Sequence, residues 1–176
     1  MSLTGSIKKT AKKAQAAMAG EPRKEGDEGD ILDTLKREHR EVALLLEQLT
    51  QSESAPERRS LLKQIKEALI PHLRAEQKVV YDAVIALKDK DAKIDGEEGY
   101  IEHETAEKML LKLEKMDSFT APQFSAGAKV LKELVQHHVQ EEEKNIWSDV
   151  QDNFSDDDRL EMNREFLAAK QKVRLH

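Results

Sequence analysis

The sequence predicts an all-α protein, built as an up-down antiparallel four-helix bundle with an extra C-terminal helix. The composition is the first reason, because only 7 of the 176 residues are Gly and 4 are Pro, and residues that favour helices dominate. The second is that apolar residues recur at helical spacing while 36% of residues are charged, a pattern typical of helices with one buried stripe. A chain of this length forms one domain with a real hydrophobic core.

A stretch that occurs twice predicts the symmetry of the bundle. Residues 72–84 read HLRAEQKVVYDAV and residues 138–150 read HVQEEEKNIWSDV, and both begin with a His followed four residues later by a Glu. Upstream, residues 38–49 align in the same way with residues 102–113, and each of these segments begins with Glu-His. We therefore expect two helix hairpins related by a pseudo-twofold axis, a common frame for metal sites between facing helices.

The first 30 residues are predicted to be a basic N-terminal tail and a polar linker. Residues 1–20 contain four lysines and no acidic residue. They could form a short amphipathic helix for a membrane surface or an acidic partner, or they could be a frayed Ala-rich tail. Asp30 is a suitable N-cap for the helix that follows.

The remaining elements follow from periodicity and capping signals. The bundle is assigned to residues 31–150 and a C-terminal capping helix to residues 151–176. Pro71 should kink or divide the second helix, and residues 89–99 (DKDAKIDGEEG) should form a polar loop. Ser155 and the three aspartates after it are a strong helix start. The helices of the bundle are expected over about residues 31–50, 57–88, 100–117 and 123–150.

Several classes of protein are excluded by composition. The chain contains no Cys, so it has no disulfide framework, thiolate metal site or cysteine nucleophile. No apolar run is long enough to span a membrane and no secretory signal is evident, so we expect a soluble, cytoplasmic protein. The net charge of −6 includes the +4 of residues 1–20, so the rest of the chain sums to −10. Such an acidic domain should bind no nucleic acid.

Four histidines and two glutamates form the candidate metal site. In each repeated stretch the His and the Glu leave the same helix face one turn apart, and the facing helix of each hairpin supplies a further His. A rise of about 1.5 Å per residue places all six groups at nearly the same depth. A single buried His is more often a hydrogen-bonded core residue, but six such groups buried without a cation would cost several kcal/mol per ionised group. The candidate ligands are His39, His72, Glu76, His103, His138 and Glu142.

The ligand types restrict the metal. Nitrogen and oxygen ligands without thiolate exclude the typical structural zinc sites. Six groups are too many for one tetrahedral ion, but they suit two octahedral ions that share bridging carboxylates. Positions then remain for water, an oxo or hydroxo bridge and a diatomic ligand. Iron is the first choice and manganese the second.

The order of these residues resembles the hemerythrin-like HHE cation-binding family. Single His, HxxxE, single His, HxxxE fall on four successive predicted helices over about residues 31–150. The resemblance implies a non-haem di-iron centre in which the four histidines are terminal ligands and the two glutamates are bridges. Oxygen-carrying hemerythrins have a second His where this chain has Glu107, and an Asp where it has Glu143. We expect Glu107 to be an additional ligand to one iron, with a solvated surface residue as the alternative.

That departure makes the pattern similar to a subgroup of the family with four His and two Glu. The subgroup includes di-iron proteins implicated in nitric-oxide or oxidative-stress responses and in iron–sulfur repair. The resemblance thus implies a protein that binds or senses O₂, NO or peroxide. The alternatives are a di-iron enzyme that turns over peroxide or NO or repairs iron–sulfur clusters, and a metal-free helical interaction module.

Two further expectations concern residues beside the site. His137 also has a Glu four residues later, Glu141, but the internal alignment favours His138 as the ligand. Tyr81 and Trp147 each lie five residues after a bridging Glu. In a regular α-helix this turns them about 140° away from the metals, so packing of the bundle is their expected role, with contact to a metal ligand as the alternative.

Overall fold

The computed structural model describes residues 29–175, which fold into helices with no strand among them. This confirms the predicted all-α class. The expected basic tail lies outside the described residues. The elements are α1 (Ile31–Gln51), α2 (Ala55–Glu76), a π-helical turn (Gln77–Tyr81), α3 (Asp82–Ile85), α4 (Lys90–Glu114), α5 (Pro122–Lys144), α6 (Ile146–Asn153) and α7 (Asp156–Lys172).

Helices α1, α2, α4 and α5 pack side by side as the four-helix bundle. The closest pairs are α4 with α5, α1 with α2, and α1 with α5, while α2 also contacts α4. The apolar core is divided into two clusters. Along α1, Leu35 belongs to one cluster and Val42 to the other, and His39 lies between them. The buried polar groups thus form a layer across the bundle between two apolar cores.

Helix α4 begins about ten residues before the predicted start, so the expectation of a polar loop at residues 89–99 is wrong. The Asp89 carboxylate caps the helix by accepting hydrogen bonds from the backbone N–H groups of Asp91 (2.9 Å) and Ala92 (3.0 Å). Glycines are typical of turns, but here Gly96 and Gly99 lie inside the helix and allow close packing against it. A Cβ added at Gly99 would lie 2.6 Å from Cε2 of Tyr81.

Helix α2 gives way to an irregular turn just after Glu76, and α5 ends soon after Glu142, whereas Pro71 does not divide α2. Helix α2 runs through Pro71 without ending, although this residue was predicted to kink or divide it. The irregularity comes at Gln77–Tyr81, where the chain makes one π-helical turn. In the other hairpin α5 ends at Lys144, and Asn145 separates it from α6. Single π-helical turns like that at Gln77–Tyr81 occur frequently at functional sites.

Helix α7 covers the outer side of α1 and α2. The predicted capping signal is confirmed, because the Ser155 hydroxyl accepts from Asp158 N and the Asp158 carboxylate accepts from Ser155 N. Phe166 is completely buried, and Arg159 donates to Asp30 at the start of α1 (2.7 Å). Between residues 29 and 175, no helix combines the length and the apolar character needed to cross a membrane.

Candidate metal centre

The six residues singled out in the sequence converge in the polar layer, and each of them is at most 5% exposed. Five of them supply potential ligand atoms to two groups, within each of which all atoms lie within 4.8 Å of one another, and Glu142 lies next to these groups. Glu76 belongs to both groups. One group is His39, His72 and Glu76, and the other is Glu76, His103 and His138.

Each carboxylate lies between histidines of two different hairpins. Glu76 Oε2 lies 3.3 Å from His72 Nε2 and 3.4 Å from His103 Nε2. Glu142 Oε2 lies 3.3 Å from His39 Nε2 and 3.5 Å from His138 Nε2. This arrangement matches two ions with two imidazoles each and two shared carboxylates.

The histidine rings pair in the same way. The ring centroids of His39 and His72 are 5.1 Å apart, and those of His103 and His138 are 4.5 Å apart. The Nε2 atoms of His103 and His138 approach to 2.9 Å. Two imidazole nitrogens at this distance share one proton or face one cation.

Three of the four histidines are held from outside by a carboxylate on Nδ1. Glu38 lies 3.0 Å from His72 Nδ1, Glu102 lies 2.9 Å from His138 Nδ1, and Glu143 lies 3.3 Å from His39 Nδ1. When Nδ1–H donates to such a carboxylate, the Nε2 lone pair is free to bind a metal and the ring is fixed.

The sequence contained a signal for these outer carboxylates, although their role was not predicted. Glu38 and Glu102 are the residues that precede the single histidine in the two repeats. Each reaches the histidine of the next long helix. Glu143 has Gln77 as its counterpart in the first repeat. Accordingly, no carboxylate contacts the Nδ1 atom of His103 in the described part of the chain.

The two bridging carboxylates differ in proton affinity. Burial raises the pKa of Glu76 far above its usual value, and the charge of Glu142 raises it further. Burial also disfavours the Glu142 anion, but His39 and His138 outweigh this effect and lower the pKa of Glu142. The metal-free centre therefore keeps one carboxyl group protonated beside one carboxylate, because two such anions cannot be buried together.

Two of the histidines and one outer carboxylate also have shifted pKa values. Burial lowers the pKa of His103 well below its usual value, and the nearby His138 adds to this shift. For His39, burial acts in the same direction, but the Glu142 carboxylate raises the pKa overall. Burial disfavours the Glu38 anion, but His72 and Lys170 outweigh this effect and lower the pKa of Glu38 from 4.5 to about 2. Glu38 is thus an anion held between two donors.

The unpartnered atoms of the layer show that the site fits metal ions. Both oxygens of Glu76, both oxygens of Glu142 and Nε2 of His39 have no hydrogen-bond partner among residues 29–175. Buried polar atoms in this state are rare and each is costly. Imidazole nitrogens and carboxylate oxygens are ordinary ligands of transition metals, so a pair of cations would satisfy all of these atoms.

Tyr81 and Trp147 contact the site, so the expectation that they point away from it is wrong. The Tyr81 hydroxyl lies 3.0 Å from His103 Nε2. The Trp147 ring stacks on His39, with centroids 6.0 Å apart and planes at 16°. The expectation assumed a regular α-helix, but the π-helical turn before Tyr81 and the break at Asn145 before Trp147 change the direction of both side chains.

Two other predicted positions have distinct surroundings. The Glu107 carboxylate accepts from Arg74 (2.6 Å) and belongs to neither ligand group, which differs from its expected role as an additional ligand. His137 is 62% exposed and its Nε2 lies 3.5 Å from Glu102. The structure therefore directs His138, and not His137, into the layer.

Comparisons with known proteins agree with this geometry. Residues 30–147 match the family model described as Hemerythrin HHE cation binding domain. A curated protein of Nostoc sp. (strain PCC 7120 / SAG 25.82 / UTEX 2576), named DNA nickase, is 28% identical over 144 residues, which cover 82% of this chain. The chain spans about 40% of the length of that relative. No solved structure shows a significant match.

Proposed function

Because the chain belongs to the hemerythrin HHE cation-binding domain family, we propose that it is a non-haem di-iron protein that binds or senses O₂, NO or peroxide. Manganese is the second choice of metal. The observation that carries this proposal is the convergence of four Nε2 atoms on two carboxylates whose four oxygens have no hydrogen-bond partner among the described residues. The number and type of these ligands suit two ions with open positions.

The residues of the chain prepare the site for such ions. When bound, a pair of irons supplies redox chemistry and a position for a small ligand. The outer carboxylates Glu38, Glu102 and Glu143 hold protons on Nδ1 and leave the Nε2 lone pairs inward. Trp147 and Phe166 cover the layer and keep water out. Tyr81 stays protonated because burial raises its pKa well above the usual value, so it can donate a hydrogen bond beside His103.

The space at the site favours a small ligand. A pocket lined by His138 and Glu142 has a volume of about 10 Å³, which is close to the minimum for one water molecule. O₂, NO and peroxide are of comparable size, whereas an organic substrate would require the helices to separate. Turnover of peroxide or NO at the same site is the alternative.

DNA cleavage is not favoured as the function of this chain. The match covers about 40% of the relative named DNA nickase, so it does not assign that relative's activity to the matched region. Outside the first 20 residues the chain carries a net charge of −10, which opposes binding to phosphate backbones.

The test is to load the metal-free protein with Fe²⁺ without oxygen and then expose it to O₂, NO and H₂O₂ while recording the visible spectrum. We expect new absorption bands with each ligand that binds. A reversible adduct supports binding or sensing, and consumption of several equivalents supports the enzyme. If the folded protein binds neither Fe²⁺ nor Mn²⁺, both the binding protein and the enzyme are ruled out, and the metal-free helical interaction module is the remaining hypothesis.

A further inference from the structure

A small pocket beside the metal centre is lined by residues of α4 and α5. Its lining includes Asp95 and the exposed Glu98 as well as the buried His138 and Glu142. Its volume of about 10 Å³ admits one water-sized particle at a time. The pocket therefore connects solvent with the second ligand group.

Carboxylates make up much of the lining of this pocket. Besides Glu142 they are Asp95, Glu98, Glu102 and Glu141, and these four residues are here called the acidic channel. Burial raises the pKa of Asp95, and the charges of Asp91, Glu141 and Asp89 raise it further. Two basic side chains next to the channel are largely exposed to solvent. Lys144 lies 3.9 Å from Glu141 with 72% of its side chain in solvent, and His137 lies 3.5 Å from Glu102 with 62% in solvent.

The inner end of the channel has unsatisfied ligand atoms. Glu142 is 2% exposed, and neither of its oxygens has a hydrogen-bond partner among the described residues. These oxygens are an observation separate from the acidic lining, and a cation bound beside them would satisfy them.

Basic side chains lie beside the layer on three of its other sides. On the α1–α2 side, Lys170 of α7 donates to Glu38 (2.6 Å). Next to α6, Lys36 lies over the Trp147 ring, 6.0 Å from its centroid. Between α2 and α4, Arg74 is paired with Glu107. These cations disfavour the approach of a metal ion from those directions.

We propose that the acidic channel between α4 and α5 is the route by which divalent metal ions reach the buried centre. The four carboxylates of the channel attract the hydrated ion, and Glu142 lies beside them in the same lining. A cleft lined by charge of one sign between low-dielectric walls concentrates the opposite charge and raises association rates 10–10³-fold. The inference rests on the proposed metal site, but it concerns the rate of loading and not the ligands.

The test is the rate of Co²⁺ uptake by the metal-free full chain, followed by stopped-flow absorption at low and high salt. The channel variant combines Asp95→Asn, Glu98→Gln and Glu141→Gln. The control combines Glu53→Gln, Glu67→Gln and Asp117→Asn, three exposed residues outside the channel, so that both proteins change net charge equally. Glu98→Gln alone serves as a milder variant in case the triple change perturbs folding.

We expect uptake by the channel variant to be about tenfold slower at low salt and less dependent on salt, with the final amount of bound Co²⁺ unchanged. The single variant should slow uptake in the same direction, and the control should differ less than twofold from the unmodified protein. If the channel variants load as fast as the control, the route is wrong even though the metal site stands. If the unmodified protein takes up no Co²⁺, the metal site itself fails.

Discussion

At the residue scale, the buried carboxylates and histidines of the centre stabilise one another, although each would be unfavourable if buried alone. Glu76 and Glu142 are buried, and their oxygens lack hydrogen-bond partners among the described residues. In the metal-free chain, burial raises the pKa of Glu76 and so favours its neutral form. Two histidines lower the pKa of Glu142 and so stabilise its anion. Such a site costs stability in the absence of metal, which is a common feature of functional sites.

Replacement of a bridging carboxylate should therefore separate stability from metal binding. For Glu76→Gln we expect the metal-free protein to unfold at the same urea concentration as the unmodified chain or a higher one, because a neutral amide replaces a carboxyl group whose anion is disfavoured by burial and by the charge of Glu142. The same variant should lose at least one metal ion per chain. Elemental analysis after loading and urea unfolding measure the two effects. Glu107→Gln is the control, since Glu107 pairs with Arg74, and it should keep full loading. A Glu76→Gln protein with full loading would refute the bridging role.

Glu38 should contribute to stability in a defined pH range. Its pKa is lowered from 4.5 to about 2, so its stabilising effect is complete above pH 4.5 and disappears as the pH falls towards 2. We expect Glu38→Gln to destabilise the metal-free protein at pH 7 by about 1–3 kcal/mol, with a smaller difference from the unmodified chain near pH 3. Urea unfolding at both pH values measures this. A difference that is the same at the two values would contradict it.

At the element scale, local departures from regular helix determine what surrounds the centre. The π-helical turn at Gln77–Tyr81 directs Tyr81 to His103, and Gly99 of α4 allows the ring to approach the helix backbone. The break at Asn145 has the matching effect for Trp147, which stacks on His39. Both repeats thus place an aromatic ring against a candidate ligand.

The role of Gly99 can be tested by Gly99→Ala. The new Cβ would lie 2.6 Å from Tyr81 Cε2 and 2.7 Å from Cζ, and overpacking of this kind costs about 1–3 kcal/mol. A gain of about 1 kcal/mol in helix propensity offsets part of this cost. We expect a net loss of stability by urea unfolding and a changed near-ultraviolet signal of Tyr81. The control Glu97→Ala changes an exposed residue of the same helix and should be neutral. Equal stability of the two variants would show that Tyr81 has room to move.

The helices and the six converging residues were predictable because periodicity and the repeated His-x-x-x-Glu spacing are local signals. The π-helical turn was not, because Gln77–Tyr81 contains no Pro or Gly that would indicate an irregularity. Residues 89–99 were misassigned because their two glycines are typical of loops, whereas here they permit helix packing. The pairing of Glu107 with Arg74 joins two helices and is not visible in either helix alone.

At the scale of the whole molecule, two apolar clusters surround one polar layer, and α7 closes the side of the bundle formed by α1 and α2. The Phe166 ring of α7 packs 5.8 Å from His72, and Lys170 reaches Glu38. The acidic channel lies between α4 and α5, on a different side of the layer from α7. A ligand that binds only the folded state should stabilise this arrangement in proportion to its affinity.

The most direct test of the account is the metal stoichiometry of the full chain, measured together with its thermal stability. Metal-free protein would be titrated with Fe²⁺ without oxygen, with bound metal determined by elemental analysis after removal of the excess and Tm recorded at each ratio. The account predicts saturation at two irons per chain and a rise in Tm up to that ratio. A folded protein that binds no iron, or that binds iron equally well after Glu76 and Glu142 are both replaced by Gln, would contradict it.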